Sequence, residues 1–255
     1  MVAARSLAAD SPAPRCQLAD ARAAEDAFIR RAVKVIARQG IWRFLAIGNC
    51  YPMVHETLRE FGSGYRIAYV SEHLRGPLDG TIISVTGSPR DADFITGSNG
   101  VNDLLRDGDK PVGIILTGVL ERIALLSDAR QYAWQLANWA PEGSFVAASH
   151  ALSETAALVK SGAVAEDAAL VFRTARQISG LFSGMAMLPP GLVEVSRWRL
   201  SGGARRDPPI LRRVGGVARK GHQRSGMRPA ATITDPAPHE PRPMLLPGPH
   251  ESSRQ

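Results

Sequence analysis

The stretch FLAIGNCYP, residues 44–52, decides how the rest of the chain is read. Phe44 to Ile47 is a short apolar run, as expected of a buried strand. Gly48 ends it, and Pro52 is placed to open a helix at its first turn. Strand, turn and helix in that order form the unit of an open α/β sheet, where ligands bind beyond the carboxyl ends of the strands. A cofactor loop at such a turn usually carries two or three glycines, because backbone must approach the ligand closely. Here there is one, with Ala46 where an acidic residue is expected, so the stretch alone favours a plain turn over a cofactor loop.

Outward from it the pattern repeats. Phe28, Ala32 and Ile36 form one stripe of a helix predicted over Ala21–Gln39, with Gly40 placed to stop it. The strand itself is expected over Ile41–Ile47 and the next helix over Pro52–Phe61. Strands are predicted at Tyr65–Val70, Thr81–Val85, Val112–Leu116 and Ser144–Ala148, with a helix over Ser127–Trp139. A late helix begins at Thr174, where Gln177 completes a capping box. Leu192–Arg199 and Leu211–Val217 read as antiparallel closing strands. Alternating strands and helices predict an α/β fold around a mostly parallel, doubly wound sheet.

Composition divides the chain into three. Residues 1–20 are rich in Ala, Pro and Asp and are expected to be poorly ordered; 21–220 form the α/β domain; 221–255, rich in Pro and Arg without periodicity, read as disordered. The formal charge of +7 is concentrated in the tail: residues 201–255 contain 10 basic and 4 acidic side chains. That tail has no aromatic residues between its arginines, so nucleic-acid binding is the weakest reading. Two cysteines, Cys16 and Cys50, give no disulfide framework and suit a reducing, cytoplasmic compartment. No signal peptide and no apolar run of membrane-spanning length is read.

Several chemistries are not encoded. Gly48-Asn49-Cys50 breaks the dinucleotide pattern G-x-G-x-x-G, and there is no P-loop and no G-x-S-x-G. His55, His73 and His150 have no metal-ligand spacing, so no metal is expected. His55-Glu56 reads as a solvated or capping pair and Cys50 as a small apolar filler. The strand ends worth attention are Ile47-Gly48-Asn49, Val70-Ser71-Glu72 and Leu116-Thr117-Gly118.

Longer blocks carry a resemblance. AFIRRAVKVIARQGIWRFLAIG (27–48), DGDKPVGIILTGVL (107–120), APEGSFVAASH (140–150), RTARQISGLFSGMAMLPPGLVEVSRWR (173–199) and GGVARK (215–220) resemble a bacterial, actinobacterial-type family of S-adenosylmethionine-dependent methyltransferases, formerly a domain of unknown function. The resemblance spans roughly 22–220. It implies a class I methyltransferase fold, Rossmann-like, with a seven-stranded, mostly parallel sheet and a C-terminal antiparallel hairpin. It also implies S-adenosylmethionine as cofactor and a small-molecule methyl acceptor that the sequence does not name.

The family's first strand runs into Asp-Ile-Gly-Thr-Gly; the matching positions here are Ala46, Ile47, Gly48, Asn49 and Cys50. Its ribose-binding acid falls on Ser71, its next acidic position, facing adenine, on Gly87, and its Val-Leu-His-Phe on Val119-Leu120-Glu121-Arg122. The crossover at 71–80 is short for a parallel connection. The cofactor-binding residues implied are Gly48, Asn49, Ser71, Glu72, Gly87, Thr117 and Gly118; no catalytic residue is assigned. Two readings follow. In one the chain is an active methyltransferase, with Glu72 replacing the lost acid and Asn49 donating to the cofactor carboxylate. In the other it is a divergent member with eroded cofactor motifs that keeps the fold for a regulatory or interaction role. Glu121 and Arg122 are the best-placed polar groups beyond the fourth strand, or else merely an exposed helix start.

Overall fold

The apolar run of the first strand is β1 (Arg43–Gly48), and its four central residues are buried. A strand buried on both faces needs a cover on each side, and period-two alternation sorts its side chains between them. Phe44 and Ala46 enter one core, Leu45 and Ile47 the other. β2 (Arg66–Ser71), β4 (Gly113–Thr117) and β5 (Phe145–Ala151) divide in the same way.

The computed structural model describes residues 14–74, 80–156, 170–199 and 211–221. Among these described residues eight strands form one sheet in the order β3-β2-β1-β4-β5-β8-β6, with β7 also pairing β8. β3 is Ile82–Thr86, β6 Met185–Met187, β7 Val193–Glu194 and β8 Arg213–Lys220. Strands β1 to β5 are mutually parallel; β8 runs antiparallel to β5, and β6 and β7 run antiparallel to β8 at successive places along it. Counting β6 and β7 as one interrupted edge, this is a seven-position, mostly parallel sheet closed by an antiparallel hairpin, as expected of a class I methyltransferase-like fold.

Helices α1 (Pro14–Ala37) and α2 (Met53–Arg59) cover one face. α3 (Ala92–Gly97), α4 (Asn99–Leu105) and α5 (Leu126–Trp139) cover the other. α6 (Ala175–Ser179) begins with the expected capping box: Thr174 accepts from the Gln177 N–H while the Gln177 side chain accepts from the Thr174 N–H. Among the described residues no helix is long and apolar enough to cross a membrane.

Several expectations are corrected. α1 begins at Pro14, inside the segment read as poorly ordered. α3 and α4 were not foreseen: they are short, and their caps are the side chains of Asp91 and Ser98, set among Gly, Ser and Asp residues that resemble loop chemistry. The closing strand read over Leu192–Arg199 is ordered as strand only at Val193–Glu194, and β6 was missed because three residues carry no period. β2 and β3 pair in parallel across the short crossover, of which 75–79 lie outside the described residues, as does the tail beyond Gly221.

Trp198 follows β7 and is fully buried, edge-on to Phe28 of α1 with centroids 5.4 Å apart. It joins the closing segment to the first helix. Trp198→Ala is expected to lower the unfolding free energy in urea by about 3–5 kcal/mol; a loss below about 1 kcal/mol would contradict this packing role.

Candidate functional site

The sheet order reverses at β1, whose neighbours are β2 and β4. Beyond the carboxyl ends of β1 and β4 the two loops close on each other. The Asn49 N–H donates to Thr117 O at 3.1 Å. Gly48 has φ +89°, and a Cβ there would lie 2.0 Å from Thr117 O. Only glycine fits, for both reasons. A Cβ on Gly118 would in turn meet the Asn49 amide at 3.0 Å. Gly48, Asn49, Thr117 and Gly118 are thus brought together as expected.

A cleft of about 740 Å³ opens here. Its walls are α1 (Arg22, Glu25, Asp26, Arg30), the turn after β1 (Asn49, Tyr51), Glu56 of α2, and Gly118, Glu121 and Arg122 after β4, with Arg213 of β8. Cys50 does not obstruct it. The side chain is fully buried among the residues under α1 and α2, and burial pushes the thiol up to about 12. It is the apolar filler expected.

Ser71, Glu72 and Gly87 gather at the ends of β2 and β3 and do not line this cleft. The Gly87 N–H reaches Ser71 O at 3.4 Å. Glu72 is half-exposed and lies 3.8 Å from Arg90, a long and solvated pairing. A Cβ on Gly87 would overlap the Phe94 ring at 2.2 Å, so the glycine lets that half-exposed ring lie over the strand end. Beyond it a second cleft of about 590 Å³ runs between α3 and α5, and Arg122 lines both.

The polar groups behind the first cleft were missed by spacing. Glu121 is not an exposed helix start: it sits in a 3-10 turn and is 1% exposed. Its carboxylate accepts from the Ala151 N–H at 2.7 Å and from Arg213. Arg213 Nε lies 3.3 Å from Glu25 Oε1, which also accepts from the Ser149 hydroxyl. One guanidinium therefore serves two carboxylates. Burial, and after it the charge of Glu121, holds Glu25 above the usual carboxylate range despite the pull of Arg213. Glu121 is held below it: burial opposes ionisation, but Arg213 and the hydrogen bonds prevail.

Arg173 and His150, from the blocks at 173–199 and 140–150, meet behind this group. Arg173 donates to Leu120 O at 2.7 Å, to Ile123 O at 2.6 Å and to His150 Nε2 at 2.8 Å. Nε2 therefore accepts, and the ring donates from Nδ1 to Ala151 O at 2.8 Å. His55 is likewise no solvated group: its N–H donates to the Tyr69 hydroxyl at 3.0 Å, and Glu56 pairs with Arg30 instead. Among the described residues no cluster of His, Cys, Asp or Glu suits a metal ion.

Burial depresses the His150 pKa from an ordinary 6.5, with Arg173 and Arg213 adding to it and Glu121 opposing. The folded state thus favours the neutral ring. Its contribution to stability is complete above the unfolded value and is lost as pH falls through the folded one. Glu25, whose pKa is raised, runs the other way: its contribution is complete below the ordinary carboxylate pKa and is lost as pH rises through the folded value. His150→Gln keeps an acceptor for Arg173 without the titration. Between about pH 7.5 and 5.5 wild type should lose stability relative to this variant, by at most about 1.4 kcal/mol per pH unit. Parallel urea-unfolding profiles would refute the neutral assignment.

Residues 2–221 match the family model described as S-adenosyl methyltransferase. A DUF574 family protein from Streptomyces avermitilis is 25% identical, with 77% of this chain and 82% of that one covered and a TM-score of 0.66. A protein from Thermobifida fusca described as a candidate methyltransferase is 21% identical, with 82% and 84% covered and a TM-score of 0.68. The magnesium protoporphyrin IX methyltransferase of Synechocystis, solved with S-adenosylhomocysteine, shares the fold at a TM-score of 0.51 and 12% identity, with 84% and 90% covered. No match is found among curated proteins. With its closing hairpin, its cleft beyond β1 and β4 and a match along most of its length, the chain belongs to the S-adenosyl methyltransferase family.

Proposed function

We propose that the protein is an S-adenosylmethionine-dependent methyltransferase acting on a small molecule, and that it holds its cofactor chiefly by the methionine end. The observation that carries this reading is the closed pair of loops at Gly48-Asn49 and Thr117-Gly118, set at the mouth of a cleft large enough for a cofactor portion and an acceptor. The cofactor supplies an activated methyl group on a sulfonium sulfur. The protein's part is to orient the two reactants and exclude water. In this reading Gly48 keeps the first turn tight, and the Asn49 amide donates to the cofactor carboxylate. Arg173 fixes the loop after β4 through its carbonyls, so that Gly118 and Arg122 keep their places. The residues present fit the methionine end of the cofactor well.

At the ribose end the fit is thinner. β2 ends on Ser71, and the carboxylate nearest it in sequence is Glu72, one residue later and loosely paired to Arg90. In this reading Glu72 turns from Arg90 to the ribose, and Phe94 offers an apolar face to the adenine. A charge-assisted hydrogen bond is worth about 1.5–3 kcal/mol, so losing the optimally placed acid weakens binding by about one to two orders of magnitude. Ser71 and the position of Glu72 also favour a second reading, a methyltransferase-fold protein with a regulatory role and weak cofactor affinity. Action in the cytoplasm belongs to the same proposal.

Calorimetry with S-adenosylmethionine and S-adenosylhomocysteine separates the readings. Binding in the micromolar range is expected. Gly48→Ala should abolish it, and Glu72→Ala should weaken it about tenfold. No heat at millimolar ligand would exclude the methyltransferase reading. Unchanged affinity in Glu72→Ala would remove the ribose role assigned to that residue.

A further inference from the structure

Glu25 lines the cleft from α1, and its two carboxylate oxygens are differently engaged. Oε1 accepts from the Ser149 hydroxyl of β5 and lies 3.3 Å from Arg213 Nε. Oε2 makes no hydrogen bond or ion pair among the described residues. One oxygen therefore fixes the group, and the other is left for the contents of the cleft. Arg213 is shared with Glu121, which takes its Nη2, so its positive charge is divided between two carboxylates. A carboxylate that is buried, beside a second one and only partly neutralised is a stronger base than an ordinary one. Asn49 and Gly118 line the same cleft, so Glu25 borders the space in which the methionine end and the acceptor would meet.

Resting on the methyltransferase reading, we propose that Glu25 receives the proton lost by the acceptor as it is methylated, so that the acceptor reacts through an amine or hydroxyl group. The nitrogen or oxygen lone pair forms the new bond to the methyl carbon. The carbon–sulfur bond breaks with its electron pair going to sulfur, which becomes a neutral thioether. The acceptor's proton passes to Glu25 Oε2 and from there to water. Ser149 and Arg213 position the carboxylate, and neither touches the acceptor.

Sinefungin tests this without knowledge of the acceptor, because it carries an amino group at the place of the transferable methyl. S-adenosylhomocysteine has nothing there. In calorimetry on the full chain at neutral pH, sinefungin should bind about tenfold more tightly than S-adenosylhomocysteine, through a charge-assisted contact with Glu25. Glu25→Gln should remove that preference. Equal affinities in the wild type, or a preference that survives in Glu25→Gln, would overturn the role of Glu25 while binding of S-adenosylhomocysteine upheld the cofactor reading. Failure of both ligands to bind at millimolar concentration would remove both. Should Glu25→Gln not fold, the wild-type ratio of the two affinities decides alone.

Discussion

Arg213 lies between Glu25 and Glu121, in a place where no charge could remain unpaired. It is 8% exposed, Glu121 only 1%, and the two meet directly while Glu25 approaches from α1. Desolvating three ionisable groups is costly, and removing one partner of a buried pair typically costs about 3–5 kcal/mol. The arrangement is tolerable only when α1, the turn after β4 and the last strand are all in place. Three positions far apart in the chain thereby become one requirement. The wall of the cleft and the docking of the first helix depend on the same guanidinium.

Arg173 extends that requirement to the loop itself. A guanidinium offers five donors in a rigid fork, and here they are spent on the Leu120 and Ile123 carbonyls and on His150. A loop beyond the end of a strand would ordinarily be mobile. This one is tied from behind, so Gly118 and Arg122 reach the cleft from a fixed base. Preorganisation of this kind is the main service that a methyl transfer asks of a protein, since the leaving group is already activated.

The two ends of the site differ in how strictly they are built. At Gly48 a single methyl would collide with the Thr117 carbonyl, so the turn has one solution. At the end of β2 a half-exposed Glu72 makes a loose pair with an exposed arginine, and Phe94 occupies the space above Gly87. The Cys50 side chain, fully buried, belongs to the core under α1 and α2.

The sheet was legible in the sequence, because four or five apolar residues between turn signals have few alternatives and period two assigns both faces. Gly48, Asn49, Thr117 and Gly118 were legible too, as ends of predicted strands. Glu121, His150, Arg173 and Arg213 were not legible as a group. Each looks like an ordinary surface residue, and no local spacing connects positions up to 92 apart. The capping box at Thr174 was readable because both of its bonds are local; α3 and α4 escaped because their caps resemble loops. By itself the sequence determined what lies within a few residues: strands, caps, the tight turn at Gly48. Only the tertiary structure decided which charges share a guanidinium and which carboxylate keeps an oxygen for the cleft, because burial and long-range pairing set ionisation and neither exists before the chain has folded.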